Sequence, residues 1–211
     1  MIKKLYKRWR YGINMNNVVP DPEFPDKDYY PFFYKGVRTE QNNNIFEFLN
    51  KLSRETSPMR ILELGYRHGG FTSLLHDHCL SRNIPIYAYD IEALEKSKLS
   101  NRVMRVHGNI FHMIERIGGI IQNEGQSLVF CDGGDKNLEF QLLSPYLKTG
   151  DVIMTHDYAP NKEIFEAEYL GKRWDWHESW YGEISATVLN ENLKDFCTEE
   201  ANAAVWSCYQ K

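Results

Sequence analysis

The sequence predicts an α/β fold, a doubly wound and mostly parallel seven-stranded sheet with helices on both faces and an N-terminal extension. Three observations carry that expectation. Short runs rich in Ile, Val, Leu and Tyr alternate with stretches of helical period from Arg60 to Asp157. These runs end on polar residues: Glu63, Asp90, Asn109, Asp132, and His156 with Asp157. The first run is followed by Gly65 and then Gly69-Gly70, after which the apolar spacing becomes helical at Phe71, Leu74 and Leu75. Alternation of this kind implies right-handed crossovers and parallel neighbours.

In chain order, Met1 to Arg10 interleaves Lys3, Lys4, Lys7, Arg8 and Arg10 with Ile2, Leu5, Tyr6 and Trp9. It reads as a surface helix, either solvated or meeting an anionic partner. Pro20, Pro22, Pro25 and Pro31, with Tyr29, Tyr30, Phe32, Phe33 and Tyr34, forbid a long helix or strand and suggest an ordered arm over an apolar surface. A helix is expected from about Thr39 to Arg54, with Ile45, Phe46, Phe48, Leu49 and Leu52 on its buried stripe. The strand Ile61 to Leu64 and a helix reaching about Ser81 come next. Strands are then expected at Pro85 to Asp90, Val103 to Val106, Ser127 to Asp132 and Asp151 to Thr155, with helices through Phe111 to Ile117 and Leu138 to Leu147. The last two strands are expected at Ile184 to Leu189 and Ala203 to Tyr209, separated by a short helix over Glu191 to Phe196.

The chain has 211 residues, a formal net charge of −4 and 42% apolar residues, which suits one globular domain with an extension. No apolar run approaches the ~20 residues that span a bilayer. Met1 to Gly12 is basic but has no apolar core, unlike a secretory signal. Cys79, Cys131, Cys197 and Cys208 lack metal or redox spacing, so reduced thiols and a cytoplasmic location are expected.

In an open parallel sheet the strand C-terminal ends line the binding crevice. Gly65 permits a tight turn, and Gly69-Gly70 let a ligand approach the backbone at a helix start. The run is neither G-x-G-x-x-G nor a P-loop. Glu63 would repel a pyrophosphate but suits the cationic end of an amino-acid-like ligand, which points to a nucleoside without phosphates. Asp90 is placed to take two ribose hydroxyls, and Asn109 offers donor and acceptor to an adenine edge. Any one of these polar residues also suits a helix cap. Asp132 and Asp157 end strands that are expected to be neighbours and would repel unless a cation sat between them. Hard oxygen ligands suit Mg²⁺, Ca²⁺ or Mn²⁺. His156 is either a third ligand or a ring turned into the sheet packing, and Asp135 is a substitute ligand. Lys136, beside such a cation, would lose pKa and act as a base; otherwise it is an exposed lysine at a helix start.

E-L-G-Y-R-H-G-G-F-T (63–72), Asp90, Gly108-Asn109, C-D-G-G-D-K (131–136) and P-Y-L-K-T-G-D-V-I-M-T-H-D-Y (145–158) together resemble class I S-adenosylmethionine-dependent methyltransferases. Within that group the chain is most similar to the small metal-dependent O-methyltransferases, and to relatives that act on sugars and macrolides or are labelled cephalosporin hydroxylases. The resemblance covers Arg60 to Tyr158. It implies a Rossmann-like domain over residues 39–211, behind an arm over residues 1–38. It also implies S-adenosylmethionine held by Glu63, Gly65, Tyr66, Gly69, Gly70, Thr72, Asp90, Asn109, Ile110 and Asp132. It implies a divalent metal on Asp132 and Asp157; the residues themselves add His156 as the third expected ligand, Mg²⁺ as the expected ion, and Lys136 with Asp132 as the expected catalytic residues. The loop departs from the family pattern by an extra glycine before Lys136, and His156 stands before Asp157 where other members place an acid.

The expected activity is O-methylation of a small-molecule or sugar hydroxyl, with the aromatic stretch Trp174 to Tyr181 as acceptor wall or packed core. A homo-oligomer joined through Met1 to Tyr34 is the expected assembly. The alternatives are a non-catalytic cofactor-binding subunit and a nucleic-acid methyltransferase. The negative charge and the lack of an Asn-Pro-Pro-Tyr run argue against nucleic acid. A hydroxylase would need an iron or flavin site, for which His107, His112 and His156 are the available histidines.

Overall fold

The computed structural model describes residues 9–10, 13–24, 31–78, 83–92 and 102–211. Its centre is a seven-stranded sheet built from β1 (Pro58–Leu64), β2 (Ile86–Asp90), β3 (Val103–His107), β4 (Gln126–Cys131), β5 (Val152–Thr155), β6 (Lys194–Asp195) and β7 (Tyr209–Gln210). The spatial order is β6-β7-β5-β4-β1-β2-β3. Strands β1 to β5 pair in parallel, and β7 runs antiparallel to both of its neighbours. The order reverses between β1 and β4, which places a crevice beyond their carboxyl ends.

The helices are α1 (Ile45–Glu55), α2 (Gly70–Asp77), α3 (Ile114–Gln122), α4 (Lys136–Leu143), α5 (Tyr181–Asn190) and α6 (Thr198–Ala203). Alternate side chains of each strand feed two cores, because successive strand residues point to opposite faces. Ile61, Leu128, Phe130 and Met154 pack with α1, α2 and α6. Leu62, Leu64, Val129, Cys131 and Ile153 pack with α3, α4 and α5. The result is the doubly wound α/β fold expected, with seven strands.

Several elements differ from expectation. Residues 184–189 are helical, not a strand. Ile184 and Val188 are the two buried positions, four apart, a spacing that satisfies periods of both 2 and 3.6. A capping box decides it: the Glu183 carboxylate accepts from the Trp180 backbone N–H. The expected helix over Glu191 to Phe196 is a turn followed by β6, and of the expected last strand, Ala203 to Tyr209, only Tyr209 lies in β7. Helix α1 begins at Ile45 rather than Thr39, because the preceding polar residues are bonded elsewhere. Thr39 Oγ1 donates to Phe32 O, and the Asn42 and Asn44 amides both donate to Ala203 O.

In the extension, Trp9–Arg10 pairs antiparallel with Ile13–Asn14, so the end of the expected basic helix is a strand; Met1 to Arg8 lie outside the described residues. Val18–Pro20, Phe32–Tyr34 and Val37–Arg38 form a three-stranded antiparallel sheet. Ile13, Phe32 and Tyr34 are buried in the core shared with α1 and α2, with the Phe32 and Phe46 rings stacked at 5.3 Å. This part of the arm covers an apolar surface, as its aromatics suggested. Tyr29 and Tyr30, Cys79 and the expected helix end at Ser81 fall outside the described residues.

Candidate functional site

The turn after β1 sets the site. Gly65, at φ +83°, runs so close to the end of β4 that a Cβ would lie 2.1 Å from the Asp132 carbonyl oxygen. Asp132 N donates to Leu64 O, and Gly65 N donates to Tyr89 O, so three strand ends are tied together at one point. Gly70 meets the N-terminal segment in the same way, since a Cβ there would be 2.2 Å from Arg38 O. Between these contacts opens a cavity of about 440 Å³.

Its walls include Gly65, Tyr66, Gly70, Asp90, Asn109, Ile110, Asp132, Lys136, His156 and Asp157, all expected from sequence. Glu63, Gly69 and Thr72 are not on the wall. Glu63 and Thr72 are fully buried behind it, and neither Glu63 oxygen has a donor at full hydrogen-bond geometry, the Thr72 hydroxyl being the neighbouring one. Burial, with Asp132 and Asp90 adding negative charge and the Thr72 hydroxyl opposing, pushes the Glu63 carboxyl up to about 8. Glu139 is on the wall and was missed. Burial raises it to about 8 as well, against a hydrogen bond from Gly133 N.

Asp90 closes β2 and is nearly buried. Its Oδ2 accepts from Arg67 N at 2.7 Å and its Oδ1 from Glu92 N at 2.9 Å, so the carboxylate orders two turns while facing the cavity. Asn109 Oδ1 accepts from Phe111 N, capping the 3₁₀ turn Ile110–His112. Two residues at the mouth, Glu40 and Arg67, both have positive φ and form an ion pair with each other.

The second half of the cavity holds a charged cluster. Asp132, His156 and Asp157 bring one ligating atom each within 4.8 Å of one another, the one such trio among the described residues. His156 Nδ1 lies 3.1 Å from Asp132 Oδ1 and 3.4 Å from Asp157 Oδ1. Its ring is therefore turned toward the acids, with Trp206 packed over it at 4.6 Å. Burial works to lower the imidazole pKa, but the charges of Asp132 and Asp157 prevail and raise it. His107 and His112 are both exposed and lie outside this trio, so among the described residues no two-histidine triad includes His156.

Lys136, the first residue of α4, is 6% exposed, not a surface lysine. Its Nζ lies 3.1 Å from Asp157 Oδ2 and 3.7 Å from Asp132 Oδ1, and donates to Glu178. Burial favours the neutral amine; the carboxylates of Asp132, Asp157 and Glu178 outweigh it and hold the pKa above the ordinary value. Asp135 is not in the cluster: its Oδ1 accepts from Leu138 N and caps α4.

Each acid is held by one neutral donor. Trp174 Nε1 donates to Asp157 Oδ1 at 2.6 Å, and Gln41 Nε2 donates to Asp132 Oδ2 at 3.3 Å. Asp132 Oδ1 and Asp157 Oδ2 are the oxygens turned to the Lys136 ammonium. A cation already occupies the position that the two acids require, and the same hard oxygens with one imidazole form a donor set suited to a divalent ion. Trp176, Phe111 and Glu178 complete the outer wall, so the Trp174 to Tyr181 stretch is partly packed core and partly cavity surface.

The topology and the placement of the crevice define the class: a Rossmann-like α/β protein with its site at the strand carboxyl ends. No family model and no curated protein matches the chain. Solved structures do share the fold. The CmcI-N160 apo structure aligns over 84% of this chain and 75% of its own at 13% identity, with a TM-score of 0.60. The cmcI-D160 Mg-SAM structure aligns over 97% and 98% at 12% identity, with a TM-score of 0.56.

Proposed function

We propose that the chain is an S-adenosylmethionine-dependent methyltransferase that methylates a hydroxyl oxygen on a small molecule or sugar. One observation carries this reading: a single cavity at the sheet's switch point joins the Asp90 end of β2 to the Asp132–Lys136–His156–Asp157 cluster. The cmcI-D160 neighbour, described with Mg and SAM, supports it at the level of fold.

In this reading Asp90 accepts the two ribose hydroxyls, Asn109 and Ile110 border the adenine, and the side-chain-free Gly65 and Gly70 admit the ligand to the backbone. Glu63, Gly69 and Thr72 act from behind the wall, shaping the turn. A divalent cation, Mg²⁺, would be held by Asp132, Asp157 and His156. Its positive charge would lower the pKa of the acceptor hydroxyl and cancel the carboxylate field that raises Lys136. With that field offset, burial would favour the neutral amine, and Lys136 would be placed to take the acceptor proton at Nζ. Glu178, half-exposed and hydrogen-bonded to Nζ, is placed to pass that proton to solvent. The remaining contribution is alignment of the acceptor oxygen with the methyl carbon inside the cavity. Trp176 and Phe111 offer aromatic faces to the acceptor.

A cytoplasmic location and assembly through the N-terminal arm belong to the same reading. No helix among the described residues is long and apolar enough to cross a membrane. Size-exclusion chromatography of the full chain tests the assembly.

Calorimetric titration of S-adenosylhomocysteine into wild type and Asp90→Asn tests the core of the proposal. The variant should bind at least about tenfold more weakly, since one acceptor of a charged pair is lost. Absence of nucleoside binding to the wild type would sink the cofactor assignment.

A further inference from the structure

Gln41 lies 91 residues from Asp132 and 165 from Trp206 in sequence, yet it bonds to both. Its side chain is fully buried and does not line the cavity. Trp206 Nε1 donates to Gln41 Oε1 at 2.9 Å. An indole N–H can only donate, so the amide oxygen must face it and the amide NH₂ must face the other way. The flipped amide would set two donors against each other beside Trp206 and two acceptors beside Asp132. The indole thus fixes the direction of the amide, and the amide delivers its N–H to Asp132 Oδ2 at 3.3 Å.

We infer that Gln41, oriented by Trp206, is a positioning residue that pins one oxygen of Asp132 and presents the other to the cation held in the cleft. The claim rests on the reading of Asp132 as a cation-binding carboxylate in the proposed methyltransferase. Two further features support it. Trp174 treats Asp157 in the same way, donating to Oδ1 and leaving Oδ2 toward Lys136 at 3.1 Å. The two pins come from opposite ends of the chain and leave one oxygen of each acid, Asp132 Oδ1 and Asp157 Oδ2, facing a common point. Trp206 also packs on the ring of His156 at 4.6 Å, so one indole orders two members of the cluster. Gln41 itself is set by its surroundings, between Thr39, bonded to Phe32 O, and Asn42, bonded to Ala203 O. Outer partners of this kind hold a ligand's rotation, and their loss typically weakens metal binding by about 10–100-fold.

The test uses the full chain with Gln41→Met, which keeps roughly the volume but has no N–H, and Trp206→Phe, which keeps an aromatic ring of smaller size but frees the amide to flip. Mn²⁺ alone is the probe for the cluster, titrated calorimetrically, and S-adenosylhomocysteine without metal is the probe for the rest of the cavity. Gln41→Met should weaken Mn²⁺ binding about 10–100-fold and Trp206→Phe by a smaller factor, with nucleoside affinity within about twofold of wild type. Unchanged Mn²⁺ affinity in Gln41→Met would overturn the inference, as would a parallel loss of both ligands, which marks a packing role only. A wild type that binds the nucleoside but no Mn²⁺ would overturn the metal assignment and this inference with it. A wild type that binds Mn²⁺, lost in Gln41→Met, but no nucleoside would uphold the positioning of Asp132 and reject the cofactor.

Discussion

Gly65 passes Asp132 at a distance that no other residue could keep, because a Cβ at Gly65 would fall 2.1 Å from the Asp132 carbonyl oxygen and 2.6 Å from Gly133 Cα. The obstacle is backbone on the neighbouring strand end, which cannot swing aside as a side chain would. Gly65 also sits at φ +83°, a region that costs other residues about 1–2 kcal/mol. Gly65→Ala should therefore combine both penalties and lower stability by more than about 2 kcal/mol, read as a fall in Tm. An unchanged Tm would show that the two strand ends are not locked together. The same substitution moves Asp132, so Mn²⁺ affinity should fall with it.

Trp174→Phe removes the indole N–H together with the five-membered ring that carries it. A phenyl ring leaves a small void in this buried site, and Asp157, 5% exposed, loses the donor to Oδ1. Loss of a hydrogen bond to a charged group costs about 1.5–3 kcal/mol, here with His156 Nδ1 still 3.4 Å from the same oxygen. A double-mutant cycle with Asp157→Ala, which removes the acceptor, separates that coupling from simple packing. The expected result is a coupling of at least about 0.5 kcal/mol by chemical denaturation; additivity would mean that the bond does not contribute.

Glu63 and Glu139 predict a pH dependence. Both carboxyls are raised by burial to about 8 from an ordinary 4.5. Between those values the folded chain keeps a proton that the unfolded chain has released. Stability from these groups is therefore complete below about pH 4.5 and falls as pH rises toward about 8, by up to about 1.4 kcal/mol per pH unit per group. Glu63→Gln should flatten this slope and be more stable than wild type at pH 8, by an amount on the order of a few kcal/mol. Thermal melts from pH 5 to pH 8.5 check it; parallel curves for wild type and variant would mean that Glu63 is ionised throughout.

The strand ends were legible because the information is local. Each apolar run is contiguous, each polar terminator follows directly, and glycines mark the turn where two backbones meet at Gly65. The cluster of Asp132, His156 and Asp157 was legible for the same reason, as all three close adjacent strands. Gln41, Trp206 and Glu139 were not. Gln41 reaches Asp132 across 91 residues and Trp206 across 165, and no sequence spacing encodes such contacts. Glu139 looks like any exposed acid in the first turns of a helix until the turn at Gly133 folds onto it. Helix α5 was misread because Ile184 and Val188 fit both periods, and the capping role of Glu183 decided between them.

Lys136 gives the sharpest test of the cation site, because it already supplies a cation. Its ammonium faces one oxygen of Asp132 and one of Asp157 while buried to 6% exposure. Lys136→Met removes that charge and leaves two carboxylates facing each other, which for a broken buried ion pair costs about 3–5 kcal/mol. In chelator the variant should therefore melt well below wild type. A divalent ion placed between the same oxygens restores the balance without competing against an ammonium, so Mn²⁺ should bind the variant more tightly than wild type. Stability then rises with the logarithm of Mn²⁺ concentration above the dissociation constant, and the gain should be larger in Lys136→Met than in wild type. Equal Mn²⁺ responses in the two proteins would mean that the metal and the lysine do not share a site. A variant as stable as wild type in chelator would mean that Asp132 and Asp157 do not need a cation between them.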